Sequence, residues 1–299
     1  MRDTVTILLA LYQGETYLPA QLSSLLRLTG PRWRLLVSDD GSDDDGPALL
    51  HRFATRAGRD IRLIDGPGQG HAANFMHLLG QAPPGPVAFC DQDDVWIPDK
   101  LDRAMQALAP LGDRPGMYCG RSCVTAADLS PTHLSRLPRL SPSFGNALVQ
   151  SLAGGNTIVL NRAGADLLRR CLPRTAPAAH DWWAYQVMTG CNGSVLYDPQ
   201  PALAYRQHGN NAVGDNRALS ARAKRGLALL TGRFRADVER QMFALNAARP
   251  WMTPDARAQM DRFIAERASG ATGFWRSGAH RQGMGGTLAL GVAAALGRI

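Results

Sequence analysis

Three carboxylates fall within four positions, Asp91, Asp93 and Asp94 of "AFCDQDDVW" (88–96), directly after an apolar run that begins at Pro86 and Val87. Like charges this close repel one another and need an opposite charge to hold them. A divalent cation would supply it. Two carboxylate oxygens, completed by phosphate oxygens and water, make the octahedral oxygen shell that Mg²⁺ or Mn²⁺ favours. A local alternative covers part of the pattern: Asp93 or Asp94 can cap a helix beginning in "VWIPDKL". Capping uses one acid and leaves the others unexplained after a buried strand.

Three further clusters carry chemistry. Asp39 and Asp40 close a second apolar run in "LLVSDDGS", where a carboxylate can accept from the imide N–H of a uracil or thymine or from a ribose hydroxyl, or can serve an Asx turn. This loop lacks the Gly at its sixth position and the closing Glu of a calcium hand. "GPGQG" (66–70) lacks the Lys-Ser/Thr that completes a P-loop. In "HDWW", Asp181 stands beside Trp182 and Trp183, a wall on which a sugar could pack while the acid takes a hydroxyl proton; an acid at a helix start is also an ordinary cap. "YRQHGNN" (205–211) ends a strand with Arg206 and His208, a cation and a ligand for metal or phosphate, followed by Asn210 and Asn211.

These residues need elements to position them. Strand signals at 4–11, 33–40, 61–65 and 86–91 alternate with helical spacing at 17–29, 46–57, 72–82 and 98–108. Nearly continuous apolar strands separated by helices imply an α/β fold, a mostly parallel sheet with helices on both faces. Ligands of such sheets bind beyond the carboxyl ends of the strands, so the loops "YQGE", "SDDGSDDDG", "DGPGQGH" and "DQDD" should converge on one cleft. Between 115 and 215 the pattern reads as strands "GMYCGRSCVTA", "GGNTIVLNR", "GSVLYD" and "ALAYRQ" with helices "AGADLLRRCL" and "HDWWAYQVMTG". From 216 a helical appendage is expected, broken at Gly232, Pro250 and Pro254, which divides the chain into 1–215 and 216–299.

The 299 residues, 45% hydrophobic, suffice for one large core with an appendage. Five cysteines without CxxC spacing indicate neither a disulfide framework nor a zinc ribbon, and a reducing cytoplasm is the expected setting. The apolar start runs straight into a polar turn, too short for a signal peptide, and "TLALGVAAALG" (287–297) is about half the ~20 residues that span a bilayer. Charge is unevenly placed. Residues 1–211 carry 19 basic and 19 acidic side chains, whereas 212–299 carry 14 and 6, so the whole net charge of +8 lies in the last third. That surplus is either a solvated helical surface or an attraction to an anionic membrane or phosphorylated acceptor. Basic residues interleaved with aromatics form no nucleic-acid module, and nucleic acid is not an expected partner.

Taken together, "ALYQGETYLPAQLSSLL", "LLVSDDGSDD", "AANFMHLL", "FCDQDDVWIPDKL", "HDWW" and "YRQHGNN" resemble the family 2 glycosyltransferases of the GT-A fold, especially the bacterial rhamnosyltransferase-like branch, over about residues 4–214. The resemblance implies that Ala10, Leu11, Tyr12 and Glu15 border a nucleotide base, that Asp40 or Asp39 holds its pyrimidine or ribose, and that Asn74 lies along the nucleotide sugar. Asp91 and Asp93 would be the DxD pair around Gln92, Asp93 the more direct metal ligand. Asp181 would be the catalytic base, His208 would close over the diphosphate or metal, and Trp182, Trp183 and Arg206 would face the acceptor. The family's usual Asn after the first strand is Gln13 here, and its Glu-Asp at the base is His180-Asp181, as in the rhamnosyl branch.

The implied reaction is metal-dependent inverting transfer of a sugar, from dTDP-rhamnose or a UDP-sugar, to a polyprenyl-diphosphate-linked or other surface-polysaccharide acceptor. Two rivals stay open. "AFCDQDDV" also resembles the strand and DxD of aspartate-nucleophile phosphatases, which need a Lys at the phosphate and a later acidic pair; the only lysines are Lys100 and Lys224. A nucleotide-sugar-binding protein without turnover would keep the cleft alone.

Overall fold

The computed structural model describes residues 4–208, 231–267 and 269–299. The expected boundary at 215/216, Asn210, Asn211 and Lys224 lie outside the described residues. The chain forms two compact units. The first comprises Met1–Leu137, Ala153–Leu172 and Gly193–His208; the second comprises Pro138–Leu152, Pro173–Asn192 and Gly209–Ile299.

The first unit is built on one nine-stranded sheet of order β3-β2-β1-β4-β8-β6-β9-β5, with β7 paired to β6. Its parallel half consists of β1 (Val5–Leu11), β2 (Trp33–Asp39), β3 (Ile61–Asp65) and β4 (Val87–Cys90), as the apolar runs predict. Every residue of β1 and β4 is buried, because helices cover both faces. On one face Ile7, Leu9, Leu11, Ala88 and Cys90 pack with Leu18, Leu22 and Leu25 of α1 (Leu18–Leu26), Leu50 of α2 (Gly46–Ala57) and Leu101 and Leu108 of α4 (Lys100–Leu108). On the other, Phe89 meets Phe75 of α3 (His71–Gln81) edge to face at 5.4 Å.

Beyond β4 the sheet changes direction. β4 pairs antiparallel with β8 (Ile158–Leu160), and β8 antiparallel with β6 (Gly116–Thr125), which precedes α6 (Arg162–Arg170) in the chain. β7 (Pro131–Leu134) adds a further antiparallel pair, so the sheet is mixed outside its first four strands.

Two local readings change. "GSVLYD" and "ALAYRQ" are one strand, β9 (Ser194–Arg206), whose register on β6 skips from Asp198 to Pro201. Pro199 and Pro201 have no N–H to give to the ladder, so the chain bulges there and resumes pairing. Val95–Trp96 is not the start of a helix but strand β5, pairing Val95 with Ala204 and Trp96 with Leu203. The helix begins at Lys100 with Asp99 at its N-cap, so neither Asp93 nor Asp94 caps it.

The second unit is helical. It contains α5 (Phe144–Ala147), α7 (His180–Gly190), α8 (Arg233–Leu245), α9 (Pro254–Glu266), α10 (Gly270–Arg276) and α11 (Met284–Ala295). Thr253 caps α9 by accepting from Ala256 N, with Pro254 at the first helical position.

Candidate active site

The carboxyl ends of β1, β2 and β4 bring the predicted acids of the first unit to one edge of the sheet, and each turns out to have a distinct partner. Gln92 is the link between loops. Its Oε1 accepts from Tyr12 N at 2.9 Å and its Nε2 donates to Tyr12 O at 2.7 Å, because parallel neighbours β1 and β4 end side by side. Gly14 leaves room for this clamp: a Cβ there would lie 2.7 Å from Gln92 Oε1. Tyr12 is the exposed residue so held, while Ala10 and Leu11 are buried in the last turn of the strand.

The second-strand acids shape loops. Asp39 Oδ1 accepts from Ser42 Oγ at 2.6 Å, the Asx-type turn that was one of its two readings. Asp40 accepts from Gly68 N at 2.8 Å and from Gly70 N at 2.7 Å, tying the "GPGQG" run to β2. Gln13, at φ 51° in the left-handed region that a glycine or asparagine enters more readily, is kept there by Ser42 Oγ on its N–H. Glu15 accepts from Asp45 N at 3.1 Å. Asn74 is buried, donating to Ser38 O at 2.9 Å, and its Oδ1 has no hydrogen-bond partner among the described residues.

The three acids after β4 divide by burial. Asp91 Oδ1 lies 3.3 Å from His71 Nε2, and Asp93 Oδ2 lies 2.8 Å from His208 Nε2. Asp94 is fully buried, accepting from Asn156 Nδ2 at 2.5 Å and Arg206 N at 3.3 Å. Burial first, then the charge of Asp91, raises the Asp93 carboxyl above its ordinary range, against the pull of His208. Asp94 is raised well above it, by burial and then by its two acidic neighbours. Asp94 is therefore a core acid whose surroundings disfavour its charged form.

Beneath them lies Lys100, also fully buried. Its Nζ donates to Asn156 O at 2.5 Å and sits 3.1 Å above the Trp96 ring. Burial lowers its pKa to about 7, while Cys90, Asp94 and Asp91 act to raise it. The three neighbouring acids thus have basic partners within the chain itself, an imidazole each for Asp91 and Asp93 and a buried lysine near Asp94. A surface phosphate ligand, as the phosphatase reading needs, is not what Lys100 provides. Its place could have been read from spacing, since Lys100, Ala104 and Leu108 share one helical face. His71 could be found too, as the residue that ends the third strand-end loop.

Arg206 is buried rather than presented to an acceptor. Its Nε donates to Asp93 O at 2.9 Å, a guanidinium N–H donates to Ala127 O, and the guanidinium lies 4.7 Å from the Tyr17 ring centroid. Tyr17 in turn lies 4.5 Å from the His208 ring. Arg206, Tyr17 and His208 form a stack that fixes the Asp93 turn.

In the second unit Asp181 occupies the first turn of α7, where Ala179 is the N-cap, and Asp181 Oδ1 accepts from Trp182 N at 2.6 Å. The tryptophans expected to form an exposed wall are buried: Trp183 is inaccessible, and Trp182 donates from Nε1 to Ala147 O at 2.5 Å and stacks on Phe234 at 6.4 Å. Large indoles on a helix that is apolar nearly all round go to the core.

Residues 6–145 match the sequence profile of glycosyl transferase family 2. A dTDP-rhamnosyl transferase, RfbG of Shigella flexneri, is 25% identical over 231 residues, spanning 73% of this chain and 77% of the relative. Residues 1–349 of S. aureus TarS, solved with UDP-GlcNAc, superpose with a TM-score of 0.56 at 11% identity, covering 92% of this chain and 80% of that fragment. The mannosyltransferase PcManGT from Pyrobaculum calidifontis, solved with GDP-Man and Mn²⁺, superposes at 0.53 with 18% identity, covering 99% of this chain and 87% of its own. Residues 6–145, just under half of the chain, thus resemble glycosyl transferase family 2, and the fold is the GT-A architecture of these solved neighbours.

Proposed function

We propose that this protein is an inverting, metal-dependent glycosyltransferase that takes a sugar from a dTDP- or UDP-linked donor, dTDP-rhamnose foremost, and gives it to a lipid-linked or surface-polysaccharide acceptor. The observation that carries the reading is the pair Asp91 and Asp93 beyond a central strand, each in contact with its own imidazole. The similarity to a dTDP-rhamnosyl transferase supports the choice of donor.

Asp93, with Asp91 and His208, would hold Mg²⁺ or Mn²⁺; among the described residues no three His, Cys, Asp or Glu side chains are gathered as a ready metal cluster, so oxygens of a bound diphosphate would have to complete the shell. When bound, such an ion neutralises charge gathering on the leaving diphosphate. The chain's own residues do the rest. Gln92 holds the Tyr12 backbone in place for the base, Asp40 holds the glycine loop, and Arg206 fixes the turn that carries Asp93. Asp181 takes the proton of the acceptor hydroxyl as that oxygen attacks the anomeric carbon from the face opposite the nucleotide, which inverts its configuration.

Incubation with dTDP-β-L-rhamnose or UDP-glucose, Mn²⁺ and a polyprenyl-diphosphate-linked saccharide, with product configuration read by NMR, tests the reading. Transfer with inversion is expected, with Asp181→Asn losing at least ~100-fold in turnover while keeping nucleotide affinity. Nucleotide binding without turnover across a panel of donors and acceptors would leave a binding protein in its place.

A further inference from the structure

The last helix of the second unit presents an apolar stripe to the outside. Met284, Leu288, Val292 and Leu296 recur every four residues along α11 and its C-terminal end, and are 80%, 54%, 63% and 59% exposed. The opposite side of the same helix, Leu290, Ala293 and Ala294, is buried in the unit, so the stripe is the helix's second apolar face rather than a misplaced core. Trp275 of α10, 48% exposed, extends it: a Cβ on Gly291 would lie 2.9 Å from the indole Cζ2. Single exposed apolar residues are ordinary on a protein surface, but a continuous row with a tryptophan at its side marks an interaction surface.

The charge around the stripe is of one sign. Residues 267–299 contain Arg267, Arg276, Arg281 and Arg298 and no Asp or Glu, and residues 231–299 contain ten arginines against five acids. Arg267 and Arg276 pair with Glu239 and Glu266 on the neighbouring helices; Arg281, whose guanidinium lies 5.3 Å from the Phe234 ring centroid, and Arg298 bracket α11 itself. Arg235, paired with Glu239 at 3.0 Å, also reaches the helix's C-terminal end, a guanidinium N–H donating to Gly297 O at 3.3 Å.

We propose that α11 lies in the headgroup region of an anionic lipid bilayer, with Met284, Leu288, Val292, Leu296 and Trp275 entering the acyl boundary and the flanking arginines meeting lipid phosphates. An apolar face with cationic borders and an interfacial tryptophan is the composition of a helix that rests on a membrane, and no described helix is long and apolar enough to cross one. A second copy of the chain fits the stripe poorly, because two-fold pairing would set cationic borders against each other with no acid in 267–299 to answer them. The inference rests on the surface of the second unit and not on the glycosyl-transfer reading.

Flotation of the full chain with vesicles of phosphatidylcholine alone, or containing 30% phosphatidylglycerol (about a third anionic lipid, enough for a sizeable surface potential), tests it. Expected are binding to the anionic vesicles, weakening with salt, and a loss of ~10-fold or more in Leu288→Glu/Val292→Glu. Both positions are exposed, so the variant should fold, as circular dichroism would verify; Leu288→Ser serves as a milder substitution if it does not. The proposal is overturned by equal binding to the two vesicle types, by unchanged binding in a folded variant, or by a wild-type dimer that ignores vesicles and dissociates in the variant.

Discussion

His208 and Asp93 meet through Nε2 and Oδ2 at 2.8 Å although 115 residues separate them, with side chains only 12% and 17% exposed. The contact joins the last described residue of the first unit to the strand-end acid on which the candidate site turns.

Replacing that histidine exposes what it does. Burial and Asp91 push the Asp93 carboxyl up and His208 pulls it down, so His208→Ala lets Asp93 keep its proton to higher pH. The acid limb of Mn²⁺-dependent nucleoside-diphosphate binding, followed by calorimetry, moves to higher pH. Loss of a largely buried charged hydrogen bond also lowers stability by about 1–3 kcal/mol in urea melts.

Lys100 leaves a signature of opposite sign. An unfolded lysine holds its proton to about 10.5, whereas folded Lys100 releases it near 7, so between those values the unfolded chain binds more protons and stability rises with pH. The slope approaches about 1.4 kcal/mol per pH unit for one proton. Measurement belongs between pH 7 and 9, because burial raises the Cys90 thiol above its ordinary 9.0, which opposes and offsets the trend beyond it. In Lys100→Met the rise in urea midpoint across this window disappears; its persistence would assign the slope elsewhere.

Gln92 holds a loop, so its loss should appear in binding before chemistry. Gln92→Ala removes both hydrogen bonds to Tyr12, each about 1 kcal/mol, and the donor KM rises about 5- to 30-fold with kcat changed less. A fall in kcat at unchanged KM would place Gln92 in the chemical step instead.

Trp183 is a core residue in this fold, and Trp183→Ala should cost about 3–5 kcal/mol of stability. Acceptor KM in the surviving folded fraction, measured at low temperature, stays within a few-fold of wild type. A large KM effect with unchanged melting would restore the sugar-stacking role.

The parallel half of the sheet was legible because its information is local. Strands β1 and β4 announce themselves as unbroken, buried apolar runs and β2 and β3 as mostly apolar ones, their helices by Leu18, Leu22 and Leu25 at helical spacing, and the acids of the site by their position just after the strands. The other half depends on partners far along the chain. Nothing within "DVWIP" shows that Val95 and Trp96 pair with Ala204 and Leu203, and nothing in "YDPQPALAY" separates one bulged strand from two.

The site divides in the same way. Composition and order by themselves determined that acids crowd the end of the fourth strand, that a charge must balance them, and that surplus cations gather in the last third of the chain. Only the tertiary structure decided which acid does what: Asp94 sinks into the core, Asp91 and Asp93 each meet an imidazole from a distant segment, Lys100 slides beneath them, and Trp182 and Trp183 turn inward. The reason is physical. Charge, burial preference and helical or strand period are properties of neighbouring residues, whereas the electrostatic environment of a carboxylate is set by whatever folding carries to within a few ångströms of it.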